Sequence, residues 1–455
     1  MQASTKNISA TTIKNAAKIL DAWLPHKIQT SYIPGLSVGI VYKNKLVYQK
    51  GFGWADMERK KKTLPETTYR IASISKTFTA VAILQLVESG KLQLDDTVTQ
   101  YLPWFQANNK KIQAKDITVR QLLSHSSGVF RDGVTPHWID DHFPNHKQLQ
   151  ASVSNNMLVF QHSVGFKYSN FGFALLGEII REISGVSYNE YISKNILDKL
   201  ALKNTFPDFS TTTKKELSNG YGRIILERER EVFAHIKTHA YTPATGFISN
   251  VPDLAKYLPA LFSSKTSNTI LTEVSKQEMM KGEFPINEEG EQYGLGVRIE
   301  EIEKRKIFGH GGSFPGYSTK ISYDKENEIG VIVLCNTIDA NAALFNKGIF
   351  ETIYRLHALK KQSNKIEINK YEGLYRSRWG DNVVLGINGQ LMVFDPSTDS
   401  PLKYSSSLLY SGKGLFVIET KNNFWFRGEP ARFLFQGRRK ATTMILGTWP
   451  NERIE

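Results

Sequence analysis

Strand-forming sequence occurs in this chain in blocks separated by a long helical stretch, and that separation restricts the fold more than any other feature. The segment "GLSVGIVYKNKLVYQKGFG" (Gly35 to Gly53) places apolar residues at Val38, Ile40 and Tyr42, turns at Lys43-Asn44-Lys45, and resumes at Leu46 and Tyr48, the period of a β-hairpin. From Ser73 to about Tyr257 the pattern is mainly helical. Strands then return in "KIFGHGG", "YSTKISYD" and "EIGVIVLCN", and "ANAALFNKGIFETIYRLHAL" reads as a closing helix. This order indicates an α+β unit: one antiparallel sheet built from both blocks and flanked by helices, an all-helical lobe from the middle of the chain, and a cleft between them.

An amphipathic helix is expected before the hairpin, from about Thr11 to Leu24. The polar stretch Lys360 to Lys370 reads as a linker. Beyond it the texture changes to eight short strands, "YEGLYR", "NVVLGI", "QLMVF", "LKYSSSLLY", "GLFVIET", "NFWFRG", "RFLFQ" and "TTMILG", with turn signals such as Asn388-Gly389 between them. That spacing suggests a small antiparallel β-barrel of meander type. The expected organisation is therefore a main domain over 1–359, a linker over 360–370 and an accessory barrel over 371–455. The aromatic residues Trp379, Phe424, Trp425 and Phe426 could anchor an interface, and the barrel is expected to cap the cleft of its own or a neighbouring subunit.

Composition narrows the function classes. Hydrophobic residues at 40% and charged residues at 22% are those of a folded globular chain of 455 residues. The net charge of +14 invites a nucleic-acid reading, but "RKKKT" (Arg59 to Thr63), "LKKQSNK" (Leu359 to Lys365) and "GRRK" (Gly437 to Lys440) are short and scattered. Solvated surface charge is the simpler account, and no nucleic-acid partner is expected. The single cysteine, Cys335, lies in the apolar run "GVIVLCNT" and excludes an intrachain disulfide. No stretch approaches the roughly 18 apolar residues of a membrane span. Asp21 and Lys18 interrupt the only apolar run near the N-terminus, so no signal peptide is read there. A cytoplasmic location is expected if that N-terminus is native, and a periplasmic or secreted one if a signal peptide was removed.

The stretch "YRIASISKTFTA" (Tyr69 to Ala80) holds two serines before a lysine. Residues three apart on a helix share a face, so Ser73 can present its hydroxyl to Lys76, while Ser75 diverges. A lysine can activate a serine only if burial or nearby cations lower its pKa. Ser-x-x-Lys alone is weak, since a serine capping a helix above a surface lysine fits it equally. Two further segments join it: Tyr168-Ser169-Asn170 at the head of an apolar helix, and His310-Gly311-Gly312 at the start of a strand.

In this order the motifs resemble the serine β-lactamase and penicillin-recognising hydrolase superfamily, specifically its class C β-lactamase, D-aminopeptidase and esterase branch. The resemblance runs from about Gly35 to His357 and includes "LLSHSSGV" (Leu122 to Val129), "GFISNVPDLAKYL" (Gly246 to Leu258) and "YGLGV" (Tyr293 to Val297). It implies a β-lactamase/transpeptidase-like fold, and a lipocalin-like character for the barrel. It also implies that Ser73 is acylated, that Lys76 takes its proton, that Tyr168 is a second acid/base, and that Asn170 holds Lys76 and the substrate amide. The backbone N–H groups of Ser73 and Ser313 would form an oxyanion hole. Gly311 and Gly312, lacking side chains, would let substrate backbone lie along the strand edge.

Departures matter as much. His-Gly-Gly stands where β-lactamases carry Lys-Thr-Gly, which removes an ammonium and a hydroxyl that would meet a β-lactam carboxylate. His310 is more like the peptidase and esterase members, polarising a substrate or supporting Tyr168, and His162-Ser163 replaces a Pro-Gly before the Tyr-x-Asn segment. "HWIDDHFPNH" gathers His137, Asp140, Asp141, His142 and His146, but in no defensible metal spacing, and it reads as a loop folded over the cleft. His125 reads as a hydrogen-bonded packing residue. The expectation is a serine hydrolase without cofactor or metal, acting on a small-molecule or peptide amide or ester, a D-residue peptide or small ester before a β-lactam, with a homo-oligomer left open. The alternative is a catalytically weak penicillin-binding sensor or self-assembling scaffold on the same fold.

Overall fold

The computed structural model describes residues 8–106, 116–154, 157–213, 216–226, 228–359, 361–362, 366–422, 425–437 and 439–454. Its chain divides into two compact units, Ile33–Asn346 and the pair Met1–Tyr32 with Lys347–Glu455.

The first unit is built on a nine-stranded antiparallel sheet in which both strand blocks meet. The order is Lys61–Lys62, Lys45–Asp56, Gly35–Tyr42, Ile329–Cys335, Tyr317–Asp324, Arg305–Phe314, Arg298–Ile302, Gln292–Tyr293 and Phe284–Pro285. Val38 pairs with Val333 and Ile40 with Val331, which joins segments almost 300 residues apart. Every residue of Gly35–Tyr42 and Ile329–Cys335 is buried. Covered faces on both sides explain the near-continuous apolar run "GVIVLC" in a central strand.

Helix Ser75–Glu88 is apolar on almost every face because it is buried on almost every face. Phe78 stacks on Tyr257 at 3.9 Å and on Phe247 at 4.6 Å. Helix Asn170–Ser184 is capped by the Ser169 hydroxyl and ends at Gly185, whose φ of 72° suits a residue without Cβ. Both helices belong to one hydrophobic core with the strands of the sheet.

The His-Gly-Gly segment does not open its strand. It occupies the second half of Arg305–Phe314. The neighbouring strand Arg298–Ile302 pairs only with Arg305 to Gly309, so among the described residues His310–Phe314 is paired on one side, to Tyr317–Ile321, and open on the other. The strand must begin well before the glycines because it needs ladder partners, and the glycines mark where one partner stops.

The second unit holds a closed eight-stranded antiparallel barrel: Gly373–Ser377, Gly380–Ile387, Gln390–Phe394, Ser406–Gly412, Leu415–Glu419, Pro430–Leu434, Thr443–Leu446 and Trp449–Arg453. Closure comes from Tyr375 and Arg376 pairing with Arg453 and Glu452. The expected strand "NFWFRG" is not one: residues 425–428 form bends and turns, and Asn423 and Phe424 lie outside the described residues. The eighth strand is instead the polar "WPNER", which holds Pro450, a residue that disfavours strands.

The opening helix runs from Ala10 to Thr30, through Pro25, and groups with the barrel unit. Its fully buried Trp23 donates from Nε1 to the Thr398 carbonyl at 2.8 Å, and Asn15 reaches Asn388 at 2.8 Å. Of the expected linker, residues 360 and 363–365 lie outside the described set, and Ile368–Lys370 forms a 3₁₀ turn.

Candidate active site

Ser73 stands in a 3₁₀ turn, Ala72–Ile74, that leads directly into helix Ser75–Glu88. In a 3₁₀ turn residues i and i+3 eclipse, so the expected pairing survives the tighter geometry: Lys76 Nζ lies 3.2 Å from Ser73 Oγ. The turn is entered through Ala72 at φ 49°, a left-handed conformation uncommon for a residue with Cβ. Two neighbours hold it there. Ile71 N–H donates to the Phe247 carbonyl at 2.9 Å, and Gly312 lies so close that a Cβ on it would stand 2.2 Å from the Ile71 carbonyl oxygen. Glycine at 312 is what brings the strand against the Ser73 turn.

Lys76 is fully buried and meets three oxygens: Ser73 Oγ, Asn170 Oδ1 at 2.7 Å and the Ala244 carbonyl at 2.8 Å. Its ammonium also lies 4.7 Å from the Tyr168 ring centre. Loss of solvation pushes its pKa well below the usual lysine range, the Asp132 carboxylate opposes that, and the Arg131 guanidinium adds to it. Ser75 is different. Its buried hydroxyl donates to the Ala72 carbonyl and accepts from Phe247 N–H at 3.1 Å, which leaves it structural.

Tyr168 hydrogen-bonds Ser73, and removal from water drives its phenol above the ordinary tyrosine range, so it is protonated at neutral pH. Asn170 bridges Lys76 to Asp132: Oδ1 accepts from the amine and Nδ2 donates to Asp132 Oδ1 at 2.6 Å. With the lysine amine donating on one side and an acceptor-only carboxylate on the other, the amide has one orientation. Asp132 is a residue that sequence reasoning missed, although it lies only four positions beyond "LLSHSSG".

His310 is brought to the same cleft, but its ring nitrogens are engaged elsewhere. Nδ1 lies 2.6 Å from the Gly311 carbonyl, which requires its proton there, and Nε2 accepts from Tyr293 O–H at 2.8 Å. Burial, and then the charge of Lys76, depress its pKa well below the histidine range, so it is neutral. The Tyr168 and His310 rings are 6.4 Å apart. Tyr293, inside the quoted "YGLGV", is thus the immediate partner of His310. His125 is fully buried, accepts from Ser169 N–H at 3.1 Å, and packs its ring 4.3 Å from that of Tyr168.

Ser73, Asp132, Tyr168, Asn170, Tyr293 and His310 line one cleft of about 740 Å³, with Ser313 on the exposed strand edge and with Trp138, Phe166 and Phe233 supplying apolar wall. Trp138 comes from "HWIDDHFPNH", so part of that loop does border the cleft. Its histidines diverge: His137 bonds Thr135 Oγ1 at 2.7 Å and His146 bonds Glu178 at 2.7 Å. Among the described residues no group of three or more His, Cys, Asp or Glu side chains could hold a metal ion. The two cleft cations are each paired, Arg131 with Asp132 at 3.1 Å and Arg298 with Glu291 and, at 3.7 Å, Glu300. No helix among the described residues is long and apolar enough to cross a membrane.

A family model described as Beta-lactamase matches residues 20–347. Among curated proteins, Protein flp of Staphylococcus aureus (strain MW2) is 28% identical over 320 residues, 70% of this chain and 62% of that protein. Penicillin-binding protein 4* of Bacillus subtilis (strain 168) is 26% identical over 312 residues, 64% of this chain and 65% of that protein. The chain therefore spans less than two thirds of the length of these curated relatives. Among solved structures, the octameric penicillin-binding protein homologue from Pyrococcus abyssi is 27% identical with a TM-score of 0.66, and the match covers 95% of this chain and 99% of that one. That coverage extends into the barrel.

Proposed function

Because the chain belongs to the beta-lactamase family, we propose that it is a serine hydrolase that cleaves an amide or ester through an acyl-enzyme on Ser73. The observation that carries this reading is the buried Lys76 amine, held 3.2 Å from Ser73 Oγ with its pKa depressed. A neutral amine has two N–H groups, and the structure offers them two acceptors, Asn170 Oδ1 and the Ala244 carbonyl. The lone pair is left for the Ser73 hydroxyl.

Attack then proceeds with the Ser73 proton passing to Lys76 as the Oγ–carbon bond forms. Negative charge develops on the substrate carbonyl oxygen, toward which the N–H groups of Ser73 and Ser313 are available on the turn and on the open strand edge. Protonated Tyr168 supplies the leaving nitrogen or oxygen with a proton as that bond breaks, and then recovers one from Lys76, which restores the neutral amine and the phenol. Water repeats the sequence on the acyl carbon and regenerates Ser73. Asn170 and Asp132 hold the amine in place without exchanging protons.

Amides and esters, a D-residue peptide or small ester foremost, suit the cleft better than a β-lactam. A β-lactam carboxylate needs an unpaired cation, whereas Arg131 and Arg298 are compensated and His310 is neutral. The test is intact mass after a fluorophosphonate: one adduct on the parent and on Ser75→Ala, and none on Ser73→Ala. An adduct that survives Ser73→Ala overturns the assignment.

A further inference from the structure

The barrel carries a second concave site, lined by none of the residues that line the Ser73 cleft. In a meander the connections alternate between the two ends. Those joining Ser377 to Gly380, Phe394 to Ser406, Glu419 to Pro430 and Leu446 to Trp449 therefore share one end. There they enclose a cavity of about 460 Å³, within the range of roughly 300–1,000 Å³ typical of small-molecule sites.

The lining of that cavity selects among ligand classes. Trp379 stacks on Trp449 with ring centres 5.1 Å apart and planes at 21°, while Phe426 meets Trp449 edge-on at 5.0 Å. Trp449 is thereby fixed and Trp379 is left as a flat face, 76% exposed. Beside it Asn382 and Asn451 are joined by a 3.1 Å hydrogen bond, and Ser406, Thr398 and Asp395 complete a polar rim.

Two alternatives fail on this lining, and a third is separated by experiment. An anion finds no lysine or arginine among the described lining residues, in a chain with net charge +14, and the nearby Arg376 is committed to Asp381 through two of its nitrogens at 2.7 and 2.8 Å. A lipid chain needs a hollow interior, but Leu391, Leu408, Phe416 and Met444 fill the barrel and are fully buried. An ammonium ion is the competing occupant, because Tyr404, Trp425 and the Asp395 carboxylate also line the cavity, and tetramethylammonium is its contrast in the experiment. A flat apolar face next to neutral amides and hydroxyls matches a ligand with an apolar face and an equatorial fringe of hydroxyls. We propose that the barrel mouth binds an uncharged sugar unit, stacked on Trp379.

The experiment is isothermal titration of the full chain carrying Ser73→Ala, which prevents turnover, with N,N′-diacetylchitobiose and cellobiose as probes and with tetramethylammonium and laurate as contrasts. Saturable binding of at least one sugar is expected, weakened about tenfold or more by Trp379→Ala and retained by Trp379→Phe, which keeps a flat ring. Thermal unfolding of the variants establishes that each is folded, and Trp379 is exposed enough for both to be. The proposal is overturned if neither sugar binds, if Trp379→Ala binds as the parent does, or if tetramethylammonium or laurate binds more tightly than either sugar.

Discussion

In the cleft of Ile33–Asn346 the polar groups are withdrawn from water and tied to one another, whereas at the barrel mouth aromatic rings stand in solvent beside amides and hydroxyls. Lys76, Asn170 and His310 are buried, and the pKa values of Lys76 and His310 are displaced by that burial. Trp379 and Tyr404 are 76% and 50% exposed. The contrast separates two physical tasks. Proton transfer needs groups whose charge states have been shifted, and withdrawal from water is the largest cause of the shift at both Lys76 and His310. Recognition of a neutral solute needs surface that gains by being covered, and only exposed surface can gain.

The contrast breaks first, if it breaks, at Ser73. Ser73→Ala should lower kcat/KM on an activated ester by roughly 10³-fold or more, while Ser75→Ala should retain most of it, as steady-state kinetics on both variants will read. Next comes the amine. Lys76 must be neutral to accept a proton, and its depressed pKa means that kcat/KM rises with pH and reaches its plateau well below the 10.5 of an ordinary lysine. A pH profile still climbing through pH 10 sinks the role of Lys76 as base.

A smaller effect is expected at Asp132, which acts through Asn170. Asp132→Asn should cost about ten- to a hundredfold in kcat. Because the Asp132 charge raises the Lys76 pKa, its removal should also move the acid limb of the profile to lower pH. A merely structural role would leave that limb unmoved. Tyr293→Phe frees His310 Nε2 and should change kcat/KM by about tenfold or less, which steady-state kinetics on the same ester will show. The smallest change belongs to the barrel: Trp379→Ala should leave turnover of a small ester within about twofold of the parent. A large loss there would mean that the two sites do not divide the work as described.

How much of this was legible in the sequence depends on the range of each contact. The Ser73–Lys76 pair is local, three residues apart, and its spacing carried the information through a change from α to 3₁₀ geometry. The sheet was legible because both strand blocks have strong apolar patterns. The bridge from Lys76 through Asn170 to Asp132 was only half legible, since 94 residues separate its first two members and a lone aspartate in a loop advertises nothing. Tyr293 meets His310 past the end of the strand between theirs, where Arg298 pairs with both Tyr293 and Gly309, a register that no local pattern encodes. In the barrel, the number of strands followed from the texture, but "NFWFRG" and "WPNER" exchanged places in it. Aromatic residues favour strands and proline disfavours them, and barrel closure overrode both preferences.

The helix Ala10–Thr30 is synthesised long before the residues that it packs against. Asn15 and Asn388, which touch, are 373 positions apart, and Lys18 waits 354 positions for Glu372. At 5–20 residues per second, ribosomal synthesis leaves that helix without them for roughly 20 to 70 s. Trp23 and Leu24, fully buried in the finished unit, spend this interval as apolar side chains on a nascent chain, a target for chaperones. For the same reason a cut after Leu359 does not remove the barrel cleanly. It also strips Trp23 of Thr398 and Lys27 of Asp399, so a clean excision takes the first 32 residues with it.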